Sequence, residues 1–213
     1  MTKIKVEIWS DVMCPFCYIG KRKFEQALLE FENRNEVEIE WKSFQLNPTM
    51  KTDPKKNINQ YLAEVKGWTL EQAKQMNMQV TQMAREVGLH YDFDKAVVAN
   101  SFDAHRVAQL AKRRGKGDAT EEALFKAYFT EGKNIADPEV LVQLGLQIGL
   151  EAEEIRTVLE SDQFATEVQA DMQQAQQIGV RGVPFYLMNG KFAVSGAQPA
   201  EVFLSALTKA ATN

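Results

Sequence analysis

Apolar and charged residues alternate through Ile4-Lys5-Val6-Glu7-Ile8, the pattern of a strand with one apolar face. Beyond it, Ile19, Phe24, Ala27 and Leu28 fall at helical spacing, so a helix is expected from near Cys14 to between Phe31 and Asn35. Val37-Glu38-Ile39-Glu40-Trp41 alternates again, and two strands around one helix fit a βαβ unit. Phe44 to Pro48 breaks the pattern, and Lys51 to Pro54 reads as a loop. From about Asn57 to Ser161 the periodicity predicts helices only. Ile58 to Val65 is the first. Thr69 caps the second, in which Ala73, Met76, Val80, Met83, Ala84 and Val87 form the expected buried stripe and Met78 lies off it. Gly88 ends that helix. Later starts are marked by Asn100 or Ser101, by Asp118 or Thr120, and by Asp137 with Pro138 behind it. A helix from Glu151 to Leu159 closes the run.

Strand chemistry returns near the C-terminal end. A helix over Phe164 to Ile178 leads through a glycine-flanked loop into Val183 to Met188. Asn189-Gly190 is a strong two-residue hairpin signal, and Phe192 to Ser195 is the return strand. Pro199 then opens a last amphipathic helix. The order is β-α-β, a run of helices, then α-β-β-α. It predicts an α/β domain of residues 1–50 and 162–213, interrupted by a helical insertion domain over 51–161.

Charge and composition narrow the function. The 213 residues carry a net charge of −4, and no basic cluster exceeds Lys112-Arg113-Arg114, which argues against nucleic acid as a partner. No apolar run is long enough to cross a bilayer, so no membrane partner is expected. Met1-Thr2-Lys3 leads directly into the first strand without an apolar leader, and a cytoplasmic chain is the expectation. In that compartment a cysteine pair is more often catalytic than a structural staple. Neither composition nor pattern sets the oligomeric state.

The chain has two cysteines, Cys14 and Cys17, at the junction of the first strand and first helix. Helix-start amide N–H groups lack partners and carry partial positive charge, so they stabilise a thiolate at Cys14. Pro15 suits the first helical position, and Cys17 sits one turn on, within reach of a small disulfide ring. Three readings compete. In a redox pair, Cys14 attacks a disulfide and Cys17 resolves the mixed disulfide. A zinc site needs two further ligands, and the histidines are only His90 and His105; no metal is expected. Two buried structural cysteines are the third reading. The C-x-x-C placement at a strand-to-helix junction favours the first.

Three stretches point to a family: Ser10-Asp11-Val12-Met13-Cys14-Pro15-Phe16-Cys17, Gly182-Val183-Pro184-Phe185, and Asn100-Ser101-Phe102-Asp103-Ala104-His105-Arg106 between them. With them the chain resembles, over nearly its whole length, the DsbA-like branch of the thioredoxin superfamily. In detail it is similar to the FrnE-type cytosolic members, which group with 2-hydroxychromene-2-carboxylate isomerases and kappa-class glutathione transferases. The resemblance implies a thioredoxin fold with a large all-helical insertion, and a cis Val183–Pro184 bond facing the cysteines. It implies a thiol–disulfide oxidoreductase acting on protein or low-molecular-weight thiols and disulfides. No cofactor is needed, because the sulfurs carry the electrons; glutathione can serve as co-substrate. Cys14, Cys17 and Pro184 are the expected catalytic residues, with Val183, Phe16, His105 and Arg181 expected at the substrate. His105 would line the groove or else be a helix histidine satisfied locally. Arg181 would hold an anionic group such as a glutathione carboxylate or else be an exposed loop cation. Asp11 would assist proton transfer or cap the helix, and Trp9 and Tyr18 would pack at the rim of the site.

Two departures from the family bear on this. DsbA has Pro-His between its cysteines, whereas Phe16 here can neither hydrogen-bond nor carry charge. The isomerases and kappa transferases have serine where Cys14 stands. A glutathione-dependent isomerase or transferase is the first alternative. A non-enzymatic holdase using a methionine-containing lid (Met50, Met76, Met78, Met83) is the second.

Overall fold

Pattern becomes structure first at β1, Ile4–Ser10, in the computed structural model, which describes residues 3–212. The alternation puts Ile4, Val6 and Ile8 on one face and Lys5, Glu7 and Trp9 on the other. Helix α1, Pro15–Glu30, and a short 3-10 turn lead to β2, Val37–Ser43, which pairs parallel with β1 in the register Ile8↔Trp41 and Trp9↔Lys42. At the other end of the chain, α8 (Ala165–Gln177) precedes the hairpin of β5 (Phe185–Met188) and β6 (Phe192–Ser195), and α9 (Ala200–Ala211) follows. β5 runs antiparallel to β1 with Ile8↔Tyr186 and Trp9↔Phe185. The mixed sheet has the order β2-β1-β5-β6. The two-residue hairpin turn needs positive φ at both positions, and Asn189 and Gly190 take +51° and +65°.

The chain divides into two compact units. The sheet-bearing unit comprises the chain up to Leu46 and from Thr166 onward. Its core lies where Val6, Ile8, Tyr186 and Met188 meet Phe24 and Ala27 of α1 and Phe203 and Leu207 of α9. The other face carries Trp9, whose indole N–H donates to the Asp171 carbonyl of α8 at 2.9 Å. The sheet with its flanking helices is a thioredoxin fold, an α/β architecture.

The second unit, Asn47–Ala165, holds α2 (Ile58–Lys66), α3 (Leu70–Glu86), α4 (Phe102–Arg113), α5 (Gly117–Phe129), α6 (Pro138–Gln147) and α7 (Ala152–Leu159). The first junction falls at 46/47, against an expectation of 50/51, and two hydrogen bonds explain it. The Leu46 N–H is held by Asp11 at 2.7 Å, while the Asn47 side chain donates to the Tyr61 hydroxyl at 2.8 Å.

This unit is not purely helical. Strands β3 (Asp53–Asn57) and β4 (Val97–Val98) form a bulged antiparallel pair where a loop and unbroken helices were expected. The polar Asp53-Pro54-Lys55-Lys56-Asn57 has no strand pattern; its pairing partner, 40 positions on, is only two residues long. The α5 start is also corrected. Its N-cap is Lys116, and Asp118 lies inside the first turn. For α4 the Asn100 side chain, not that of Ser101, does the capping, by accepting the Phe102 N–H at 2.8 Å.

Candidate active site

One side chain shapes the turn from β1 into α1. The Asp11 carboxylate accepts the Met13 N–H at 3.2 Å and the Leu46 N–H at 2.7 Å, which ties the turn to the segment that follows β2. The Cys14 N–H donates to the Asp11 carbonyl at 2.9 Å. Cys14 therefore reaches the start of α1 as its N-cap, in extended conformation, with Pro15 in the first turn where its missing N–H costs nothing. The Cys17 N–H donates back to the Cys14 carbonyl at 3.0 Å and closes that turn.

Both cysteines are free thiols. Cys14 keeps 4% of its surface and Cys17 none, so Cys14 is the only thiol with any exposed surface. The Cys14 sulfur donates to the Val183 carbonyl at 3.4 Å. Val183 is joined to Pro184 by a cis peptide bond. Sequence positions 169 apart thus meet at one sulfur. Burial pushes the Cys17 thiol well above the ordinary thiol range, and the neighbouring Cys14 adds to the rise; the Asp11 backbone and the Ser10 hydroxyl pull against it. The arrangement therefore has two different thiols: one at a helix start with an edge to solvent, the other buried, neutral and one turn behind it.

Of the residues expected at the substrate, Val183 is half-buried beside Cys14, and Phe16 is exposed between the cysteines. Arg181 is exposed in the loop leading to Pro184. His105 is buried within α4 of the helical unit. Its neighbour Arg106 is committed to structure: the guanidinium holds Asp103 at 2.8 Å, the Gln163 carbonyl at 2.9 Å, and the carbonyls of Val158 and Ser161. Trp9 was expected at the rim and is instead fully buried, because its strand position faces α8. Tyr18 is also buried, its hydroxyl accepting from Arg22 at 3.2 Å. Among the described residues no group of three or more His, Cys, Asp or Glu side chains is placed to hold a metal. Nor is any helix among them long and apolar enough to cross a membrane.

Three residues around the cysteines were given no role by the sequence reading. Gly20 follows Cys17 by nearly one turn, and a Cβ there would stand 2.7 Å from the Tyr186 hydroxyl and 2.9 Å from the Pro184 ring. Ser10 and Tyr186 are the other two, both buried on the sheet under α1. The available signal was the i+3 spacing of Cys17 and Gly20; the strand register that brings in Tyr186 has no local signature.

The model of the DSBA-like thioredoxin domain matches residues 5–208. A crystal structure of a probable DsbA oxidoreductase from Streptomyces coelicolor is 40% identical, with a TM-score of 0.92, over 99% of this chain and 91% of that one. The Bacillus subtilis protein YwbO is 26% identical over 213 residues, 96% of each chain. The cytosolic disulfide reductase DsbM from Pseudomonas aeruginosa shares the fold, with a TM-score of 0.68 at 16% identity over 98% of this chain and all of that one.

Proposed function

The chain belongs to the DSBA-like thioredoxin domain family, and from that premise we propose that it is a thiol–disulfide oxidoreductase using Cys14 and Cys17 as its redox pair. Cys14 attacks a substrate disulfide and forms a mixed disulfide; Cys17 attacks Cys14 and releases the substrate as a thiol. The reverse sequence oxidises a dithiol. The observation that carries this is the asymmetry of the two thiols. Cys14 has an edge to solvent and its sulfur on the Val183 carbonyl, while Cys17 is fully buried behind it. Val183 and Pro184 line the approach to the sulfur, so an extended substrate can pair with the Val183 backbone. Phe16 offers an apolar contact beside it, and Arg181 a cation for an acidic group of the substrate, such as a glutathione carboxylate. A cytosolic setting belongs to the same proposal: thiols are kept reduced there, and a dithiol pair is catalytic.

The test is trapping. Cys17→Ser should accumulate mixed disulfides through Cys14 on incubation with oxidised protein or oxidised glutathione, and Cys14→Ser should accumulate none; mass spectrometry of the intact adducts reads both. Glutathione-dependent turnover that survives Cys17→Ala would replace this reading with the isomerase or transferase one.

A further inference from the structure

Resolution of the mixed disulfide requires Cys17 to give up its proton in a place where burial opposes the charged form. The nearest carboxylate in the loop, Asp11, is committed to the amides of Met13 and Leu46. What the sheet presents to Cys17 follows from its register. Ile8 pairs with Tyr186 and Trp9 with Phe185, so Ser10, two residues beyond Ile8, leaves the sheet on the same face as Ile8 and Tyr186. That face is the one under α1. Phe24 packs on the Tyr186 ring at 5.3 Å, and Gly20 leaves room for its hydroxyl beside the Pro184 ring. Both hydroxyls, Ser10 Oγ and Tyr186 Oη, are buried; that of Tyr186 has no hydrogen-bond partner among the described residues in the dithiol state, and that of Ser10 has none other than the Cys17 thiol beside it. A buried hydroxyl without a partner is a standing cost that Ala or Phe would remove at nearly the same volume. Such a cost makes sense where the partner exists only in another state of the protein.

We propose that Ser10 and Tyr186 are the hydrogen-bond donors that receive the Cys17 sulfur as it becomes a thiolate during resolution. The inference rests on the oxidoreductase reading and adds to it the residues that make a buried thiol usable. The step balances without any further reactant. The Cys17 S–H bond breaks and a sulfur–sulfur bond forms to Cys14. The bond from Cys14 to the substrate sulfur breaks, and that sulfur leaves with the electron pair and takes the proton. Ser10 and Tyr186 donate throughout and are unchanged at the end. Ser10 faces Cys17 from the end of β1, on the sheet face under α1, and its hydroxyl favours the charged form of that thiol. Tyr186 is the second donor. The charges it feels come from Cys17, Cys14 and Glu25 on α1, while α9 presents the Phe203 ring at 4.6 Å.

The experiment uses the full chain and 5,5′-dithiobis(2-nitrobenzoate), whose reaction releases one coloured thiolate as Cys14 attacks and a second as Cys17 resolves. Tyr186→Phe and Ser10→Ala should each slow the second release about tenfold, the loss expected for one hydrogen bond to a charged group. The first release, measured in a Cys17→Ala background, should stay within about twofold, because both hydroxyls act behind Cys14. With Cys14→Ser as background, the Cys17 titration followed by ultraviolet absorbance should move up by about one pH unit in each variant. The oxidised forms should melt no lower than the unaltered protein, which separates this from a packing role. Should Ser10→Ala fail to fold, Tyr186→Phe, which keeps the ring contacts, carries the test alone. A second release within about twofold of the unaltered rate in Tyr186→Phe overturns the proposal. Absence of the first release in the unaltered protein would instead strike at the oxidoreductase reading.

Discussion

Cys17 ties redox chemistry to stability with a definite sign. Its thiol titrates higher in the folded chain than in the unfolded one, where about 8.5 applies. Below that pH both states keep the proton, and the contribution of the buried neutral thiol is complete. As the pH rises from there towards the folded value, the unfolded chain releases its proton first and folding stability falls. The reduced protein should therefore lose melting temperature from about pH 8.5 upward more steeply than Cys17→Ala. Tyr186, which burial also pushes well above its ordinary value, adds a fall of the same sign at higher pH, so the two proteins are compared below about pH 10, before Tyr186 titrates in either state. Thermal unfolding by circular dichroism under reducing conditions makes the comparison. Parallel pH profiles would mean that Cys17 titrates alike in both states.

The elements of the helical unit separate what local sequence encodes from what packing decides. Thr69 was legible as a helix start, and the structure closes a full capping box there with Gln72, at 3.1 and 2.8 Å. Asp137 and Pro138 were equally legible, with the Asp137 carboxylate accepting the Glu139 N–H at 2.9 Å. The buried face of α3 was legible only in part, at Ala73, Val80 and Ala84. Apolar spacing pointed to Met76 and Met83, yet both are exposed, and the buried positions are Ala73, Asn77, Val80 and Ala84. The two candidate faces are adjacent on the helix, and a buried pair of amides chose between them. Asn77 donates to Asn59 at 2.6 Å, and Asn59 to Asp94 at 3.3 Å. No hydropathy pattern reveals such a pair, because each Asn alone reads as a polar surface residue. The structure then ranks two substitutions against hydrophobic intuition. Asn77→Ala leaves the Asn59 carbonyl oxygen without its donor and should cost about 1–3 kcal/mol, while Met76→Gln should stay within about 0.5 kcal/mol. Urea unfolding midpoints of the two variants check the order, and a larger loss for Met76→Gln would restore the methionine face as core.

At the scale of the whole molecule, the sheet-bearing unit is assembled from the two ends of the chain. The strand patterns read at residues 4–8, 37–41, 183–188 and 192–195 pointed to strands from both ends of the chain, and the observed strands lie there. Unreadable was the tie that holds α8 against the sheet, because it depends on register. Lys42 pairs with Trp9 across β1 and β2, so Lys42, Glu40 and Glu7 leave the sheet on the face that α8 covers. Asp171 of α8 accepts the Ser43 N–H at 3.0 Å and lies 3.3 Å from the Lys42 ammonium, which also has Glu40 at 2.8 Å. Burial works against the charge on Lys42, but Glu40 and Asp171 outweigh it and hold its pKa up. Asp171→Ala removes the acceptor of a buried amide and one of the lysine's carboxylates together. Breaking a buried pair outright costs about 3–5 kcal/mol, but Lys42 keeps Glu40, and the backbone bond from Trp9 survives, so about 2–4 kcal/mol is expected. Asp171→Asn keeps an oxygen for Ser43 and should cost distinctly less. Urea midpoints at an unchanged slope read both variants. Equal losses would assign the tie to the charge on Lys42, and losses below about 0.5 kcal/mol in both would mean that apolar contacts alone seat α8 on the sheet.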